Sequence, residues 1–128
     1  MNKNTIATLI IAVGLIAGGL VWSSKAGNSG AENASPKDAA LATFAQCVAD
    51  KGLTMYGAAW CSHCKNEKAA FGKAFSYIPY VECPENAQLC LDKGIKGYPT
   101  WTDADGTKYE GEQGLEGIAR ISGCVLPE

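Results

Sequence analysis

The sequence predicts an α/β domain in which a mixed four-stranded sheet is flanked by helices, preceded by one N-terminal transmembrane helix. Three observations lead to this class. Short apolar segments alternate with stretches of helical periodicity along most of the chain. Asp105-Gly106 is a turn signal that predicts a hairpin near the end. An uncharged apolar run at the start is long enough to cross a bilayer.

The first helix of the domain is predicted to begin at Ser35. Serine is a preferred cap, Pro36 fits the first turn, and Asp38 places a carboxylate near the positive end of the helix. Apolar residues then recur at helical spacing until Gly52 ends the pattern. These inward-facing residues are Leu41, Phe44, Ala45 and Val48.

The later elements are bounded by glycine, proline and turn residues. In order, they are a buried strand at 53–58, a helix at 62–75, a strand at 77–83, a short helix at 86–93, a strand beginning at 98–101, a hairpin strand returning through 107–111, and a helix at 115–121. Strands separated by helices predict parallel pairing through crossovers. The final hairpin predicts an antiparallel strand at one edge.

The apolar run covers residues 5–22, which are 18 residues without a charge. As a helix it would span roughly 27 Å, close to the hydrocarbon thickness of a bilayer. We therefore predict a membrane anchor or signal segment at 1–22, a flexible polar linker at 23–35, and the α/β domain at 36–128. The alternative is a signal peptide cleaved near Ser24-Lys25-Ala26, which would make the protein secreted. Both alternatives place the domain on the extracytoplasmic side, periplasmic or lumenal.

The composition limits the classes of function that the protein can have. Eleven basic and 13 acidic residues give a net charge of −2, so no basic surface is expected for nucleic acid. Six cysteines in 128 residues are typical of a compartment where thiols can be oxidised. The cysteines are therefore the first place to look for chemistry.

Two of these cysteines form a C-x-x-C pair, Cys61-Ser62-His63-Cys64, which follows the buried strand and opens a helix. Helix N-termini favour anions, and the thiolate is the reactive form of cysteine. We expect Cys61 to be an accessible attacking thiolate. Cys64, nearly one turn later, is expected to face inward and to resolve mixed disulfides.

His63 is the only histidine in the chain. Between the two sulfurs in sequence, it would favour the Cys61 thiolate and so make the disulfide a stronger oxidant. The alternative is an exposed histidine that contributes little.

The segment Trp60-Cys61-Ser62-His63-Cys64, with Tyr98-Pro99 at a later strand, resembles the thioredoxin superfamily. The blocks MYGAAWCSHC, YVEC, GIKGYPTW and ISGC more narrowly resemble the thioredoxin-like domain fused to bacterial vitamin K epoxide reductase homologues. The resemblance implies disulfide exchange at Cys61 and Cys64. It also implies that Pro99 is cis beside the sulfurs, in a site shaped by Trp60, His63, Tyr98 and Pro99.

The sequence departs from that pattern in two respects. It has one apolar segment in place of the fused quinone-reducing domain, so such a partner would be a separate membrane protein. Met55 stands where many thioredoxins have a buried Asp, so the proton acceptor for Cys64 is unassigned. Glu67 and Glu82 are the candidates.

The other four cysteines are expected to form structural disulfides. Cys83 and Cys90 lie at a strand end and on the following helix, and their bridge would contribute about 2.5 kcal/mol. A bridge between Cys47 and Cys124 would close nearly the whole domain, for about 4.5 kcal/mol. The alternative for Cys83 and Cys90 is a second redox pair that passes electrons onward.

These observations predict a membrane-tethered thiol-disulfide oxidoreductase that acts on cysteine-containing exported proteins, preferentially as an oxidant. A quinone-linked membrane partner would reset the pair, and neither a cofactor nor a bound metal is expected. Two alternatives stay open. One is a metal-binding or metal-delivery module built on Cys61, Cys64 and His63, with Cys83 as a further ligand. The other is a disulfide-stapled adaptor without catalysis.

Overall fold

The computed structural model describes residues 34–128. The predicted membrane segment at 1–22 and nearly all of the linker at 23–35 lie outside the described residues. In chain order the elements are helix α1 (Pro36–Asp50), strand β1 (Thr54–Gly57), helix α2 (Ser62–Phe71), a 3-10 helix (Gly72–Tyr77), strand β2 (Tyr80–Glu82), helix α3 (Ala87–Asp92), strands β3 (Thr100–Thr102) and β4 (Lys108–Glu110), and helix α4 (Gly114–Ser122). Within residues 34–128, no helix combines the length and the apolar character needed to cross a membrane.

Helix α1 begins where the sequence predicts. The Asp38 N–H donates to the Ser35 hydroxyl at 3.1 Å, and the Ser35 N–H donates to the Asp38 carboxylate at 3.3 Å. This reciprocal pair satisfies N–H groups that the first turn leaves without helical partners. The four predicted inward-facing residues of α1 are all buried.

The predicted helix at 62–75 is shorter in the structure. Gly72 adopts a φ of +55°, a conformation that side-chain-bearing residues rarely take, and α2 ends at Phe71. The chain continues as the 3-10 helix to Tyr77. The predicted strand at 77–83 is therefore reduced to Tyr80–Glu82.

The sheet has the strand order β2-β1-β3-β4. β1 and β2 are parallel, β3 is antiparallel to β1, and β4 is an antiparallel edge strand. The prediction of parallel pairing across every helical connection is confirmed for β2 and wrong for β3. Helix α3, with six residues, is only about 9 Å long, and the connection that contains it stays at the sheet end where β1 and β2 finish. The residues after β1 and those before β3 consequently meet at this end.

The core lies on both faces of β1, because successive side chains of a strand point to opposite faces. Met55 belongs to the larger cluster, which includes Phe71, Trp101 and Ile118 together with the inner face of α1. Tyr56 belongs to a smaller cluster made with Cys83, Cys90 and Ile95. The sheet is thus covered on both faces, as predicted for helices flanking a central sheet.

Candidate active site

Cys61 caps the N-terminus of α2, with an extended backbone (φ −75°, ψ 119°). The N–H of Cys64 donates a hydrogen bond to the Cys61 Sγ at 3.2 Å. The free N–H groups of a first helical turn and the helix dipole stabilise an anion at this position. The Cys61 sulfur therefore lies where the backbone of α2 concentrates partial positive charge, an environment typical of reactive cysteines.

Cys64 lies in the first turn of the same helix and is more deeply placed. Its side chain is 1% exposed, against 7% for Cys61, and both carry free thiols. Burial, with the Cys61 sulfur beside it, raises the pKa of the Cys64 thiol to about 11. Cys64 therefore needs a base before it can attack at neutral pH. Cys61 is the more exposed thiol of the pair, yet it is more covered than the accessible sulfur that the sequence predicted.

The segment before β3 forms the other side of the site. The peptide bond between Tyr98 and Pro99 is cis. The Tyr98 carbonyl oxygen lies 3.6 Å from the Cys61 Sγ. The ring of Trp60 packs edge-on against the Tyr98 ring at 6.0 Å, and the Trp60 side chain is 70% exposed. An aromatic surface and a backbone carbonyl thus border the Cys61 sulfur.

His63 is turned toward Glu112, a residue that the sequence did not single out. The His63 Nδ1 lies 2.8 Å from the Glu112 Oε2, and the Asn66 amide donates to the same oxygen at 3.3 Å. The hydrogen bonds from His63 and then from Asn66 hold the pKa of the Glu112 carboxyl below its usual range. The only sign of this contact in the sequence is that Glu112 is an acidic residue after the final hairpin.

Glu82 and Tyr80 lie on the same side of β2, because they are two positions apart in a strand. The Tyr80 hydroxyl donates to the Glu82 Oε2 at 2.5 Å, and the Ala59 N–H donates to the Oε1 at 2.7 Å. These hydrogen bonds, that of Tyr80 foremost, hold the pKa of Glu82 below its usual range. Glu82, one of the two predicted proton-acceptor candidates, is therefore joined to the loop that carries the cysteines.

Glu67, the other candidate, is engaged elsewhere. Its carboxylate accepts hydrogen bonds from the N–H groups of Gln113 at 2.7 Å and Gly114 at 2.9 Å, at the start of α4. The side chain is only 1% exposed, and burial raises the pKa of its carboxyl despite these bonds. Glu67 therefore joins α2 to α4.

The other four cysteines are paired in the structure. Cys47 on α1 is bonded to Cys124 after α4, and Cys83 is bonded to Cys90 on α3. Cys83 and Cys90 are both buried within the smaller core cluster. The bridge ties the chain after β2 to α3 within this cluster, the placement expected of a structural disulfide.

The geometry gives little support to a metal module. Among residues 34–128, no three His, Cys, Asp or Glu side chains are arranged to hold a metal ion. Cys83 is already bonded to Cys90, and His63 contacts Glu112. Only Cys61 and Cys64 of the proposed ligands are left together.

Comparisons with known proteins agree with this geometry. The family model described as "Thioredoxin" matches residues 36–121. The chain is 36% identical to "Thiol-disulfide oxidoreductase LTO1" of Arabidopsis thaliana, over 75% of this chain and 27% of that protein. It is 39% identical to "Protein disulfide isomerase-like 2-2" of Oryza sativa subsp. japonica, over 56% of this chain and 23% of that protein.

A fungal relative extends the comparison. The chain is 36% identical to "Protein disulfide-isomerase" of Aspergillus oryzae, over 59% of this chain and 17% of that protein. The chain thus spans 27% or less of the length of these three curated relatives. The matched family model, the mixed four-stranded sheet and the cysteine pair at the start of α2 lead to one conclusion: this chain belongs to the thioredoxin family.

Proposed function

We propose that the protein exchanges disulfides with cysteine-containing proteins through Cys61 and Cys64. The observation that carries this proposal is the 3.2 Å hydrogen bond from the Cys64 N–H to the Cys61 sulfur at the start of α2. This hydrogen bond supports Cys61 as a stabilised nucleophile, with Cys64 as the second thiol three positions away. The names of the relatives, oxidoreductase and disulfide isomerase, support the same chemistry.

In one direction, the Cys61 thiolate attacks a substrate disulfide and forms a mixed disulfide, which releases one substrate thiolate. Cys64 then attacks the Cys61 sulfur, and the second substrate thiolate leaves. The substrate disulfide is reduced by two electrons, and the protein acquires a Cys61–Cys64 disulfide. In the opposite direction, a substrate thiolate attacks Cys61 of that disulfide, and a second substrate thiolate displaces Cys61, so the substrate is oxidised.

The substrate approaches Cys61 beside Trp60 and Tyr98. An exposed aromatic ring supplies apolar contact, and a backbone carbonyl beside the reacting sulfur can accept a hydrogen bond from an extended peptide. Trp60 is exposed, and the Tyr98 carbonyl lies next to the Cys61 sulfur. This arrangement supports extended segments around a substrate cysteine as the bound element.

We also propose that the domain works outside the cytoplasm, tethered by residues 1–22 and held at a distance by the linker at 23–35. The support is the 18-residue apolar run, together with two disulfides of the kind that persist in oxidising compartments. The preferred direction is oxidation of exported proteins. A separate quinone-linked membrane protein of the vitamin K epoxide reductase type would then reoxidise the pair.

A trapping experiment tests the proposed roles. The full-length Cys64→Ala variant is expected to accumulate mixed disulfides with exported proteins on Cys61, because the resolving thiol is absent. Cys61→Ala is the matched control and is expected to trap none. Trapping that is equal in both variants, or absent from Cys64→Ala, would show that the roles are misassigned.

A further inference from the structure

The resolving step requires a group that removes a proton from Cys64. The thiol is buried in the first turn of α2 and is protonated at neutral pH. Met55, on the strand below the site, has no titratable group, and both oxygens of Glu67 accept hydrogen bonds from α4. The question is which other acidic or basic groups face the Cys64 sulfur.

Gly57, the last residue of β1, shows what surrounds that sulfur. A Cβ built on Gly57 would lie 2.9 Å from the Cys64 Sγ and 3.2 Å from the Tyr80 hydroxyl oxygen. The sulfur and the hydroxyl are therefore within about 6 Å of each other, a distance short enough for one water molecule to span with two hydrogen bonds. The absence of a side chain at Gly57 is what allows this approach.

The Tyr80 hydroxyl in turn donates to Glu82, whose other oxygen is held by the Ala59 N–H. Gly57 and Glu82 are also register partners in the parallel pair β1 and β2. The hydroxyl that lies within about 6 Å of the Cys64 sulfur is therefore hydrogen-bonded to a half-buried carboxylate. A general base must lie within hydrogen-bonding distance of the proton that it removes, directly or through one water.

We propose that Tyr80 and Glu82 form a proton relay that deprotonates Cys64 when it resolves the mixed disulfide on Cys61. The inference rests on the proposed roles of the two cysteines. The relay belongs to β2, the strand next to the one that leads into the cysteine loop.

The relay moves one proton away from Cys64 before the disulfide forms. The Cys64 S–H proton passes to the Tyr80 oxygen, directly or through one water, as the Tyr80 O–H proton passes to the Glu82 carboxylate. The Cys64 thiolate then attacks the Cys61 sulfur; the bond between Cys61 and Cys64 forms, and the bond from Cys61 to the substrate sulfur breaks. The substrate leaves as a thiolate and takes its proton from water. Glu82 finally releases its proton to solvent.

The charged groups around Tyr80 are compatible with this path. The Lys68 ammonium from α2 lies 3.6 Å from the centroid of the Tyr80 ring, and Phe75 of the 3-10 helix packs against the same ring. The positive charge of Lys68 favours an ionised Glu82 and a Cys64 thiolate. The lowered pKa keeps Glu82 ionised and makes it a weak base, so it holds the Cys64 proton only for the time that the sulfur needs to attack.

The test measures resolution directly. The reduced full-length protein is mixed with oxidised glutathione and quenched with acid, and the glutathione adduct on Cys61 is followed by mass spectrometry. Tyr80→Phe and Glu82→Gln are each expected to slow the decay of the adduct by about a hundredfold near pH 7. The double variant is expected to be no slower than either single variant, because both residues act on one proton. Tyr77→Phe and Glu85→Gln change exposed neighbours and serve as matched controls.

The pH profile separates the relay from a structural role. Hydroxide removes the Cys64 proton at high pH, so the variants are expected to approach the wild-type rate at about pH 11, where the thiol itself ionises. Slowing by the same factor at both pH values, additive effects in the double variant, or decay within threefold of the controls would overturn the relay while leaving the cysteine roles intact. A wild-type protein that forms no adduct on Cys61 would overturn the relay and the proposed function together.

Discussion

The imidazole Nδ1 of His63 lies 2.8 Å from the carboxylate Oε2 of Glu112, although 49 positions separate the two residues in the chain. His63 is two positions from Cys61, so this pair places an imidazole and a carboxylate beside the start of α2. The net effect of the imidazole on Cys61 therefore depends on a carboxylate that follows the edge strand β4.

Replacing Glu112 should reveal this dependence. Glu112→Gln is expected to raise the reduction potential of the Cys61–Cys64 pair by up to about 30 mV. The reason is that loss of the carboxylate leaves the histidine charge uncompensated beside the thiolate. The measurement is equilibration in thiol–disulfide buffers at about pH 5.5, where an ordinary histidine is charged. Glu110→Gln is the control, and a potential equal to or below that of the control would contradict the prediction.

Removing the Glu67 carboxylate should destabilise the fold. Glu67→Ala is expected to lower the free energy of unfolding by about 2 kcal/mol, because the N–H groups of Gln113 and Gly114 lose a buried acceptor. Denaturation by urea measures the change. Glu116→Ala, an exposed carboxylate in the first turn of α4, is the matched control. A loss no larger than that of the control would show that Glu67 does not join the two helices.

The same residue predicts a pH dependence. Burial raises the pKa of Glu67 in the folded protein, so the folded state binds a proton there at a higher pH than the unfolded chain does. The stability contributed by this proton uptake is therefore fully present below the usual glutamate pKa of about 4.3 and is lost as pH rises through the folded pKa. The stability advantage of wild type over Glu67→Ala should grow on acidification through this window. An advantage that shrinks would contradict the assignment.

The two structural disulfides should contribute unequally. The bridge between Cys47 and Cys124 spans 77 positions, whereas that between Cys83 and Cys90 spans 7. Paired Cys→Ser replacement is expected to cost about 4.5 kcal/mol for the long loop and about 2.5 kcal/mol for the short one, since the longer loop restricts the unfolded chain more. Urea unfolding of the two double variants provides the comparison. Equal losses, or the reverse order, would show that strain or residual structure dominates.

Gly57→Ala should disturb the site directly. The added methyl would meet the Cys64 sulfur at 2.9 Å, and we expect a loss of about 1–3 kcal/mol in stability together with slower resolution of the Cys61 adduct. Gly97→Ala is the control, since a Cβ at Gly97 meets nothing within 4 Å. If the two variants behave alike in unfolding and in adduct decay, Cys64 is not confined as described.

The proposed membrane tether predicts the cell fraction in which the whole chain is found. Full-length protein is expected to stay in the membrane fraction after washing at alkaline pH, and a variant without residues 1–22 is expected to be released. The mass of the mature protein provides the second measurement. If the mature chain lacks the apolar segment, that segment is a cleaved signal peptide and not a membrane anchor.

Much of the fold and the chemical centre of the site follow from local patterns. The cap at Ser35, the apolar spacing of α1 and the turn at Asp105-Gly106 each act over a few residues, so the sequence reveals them without tertiary information. The C-x-x-C pair is of the same kind, since its place after an apolar strand and at the start of a helix depends only on nearby residues. The boundary at Phe71 was missed because the positive φ of Gly72 has no marker that separates it from an ordinary helical glycine.

Packing between distant elements determines which residues contact the reactive groups of the site. The approach of Glu112 to His63 and of Tyr80 to Cys64 depends on how helices and strands meet, and so does the antiparallel direction of β3. By itself, the sequence determined the order of elements, the reactive cysteines and the candidate carboxylates, because these depend on short-range periodicity, capping and spacing. Only the tertiary structure decided which carboxylate faces which reactive group, because such contacts join residues that lie far apart in the chain.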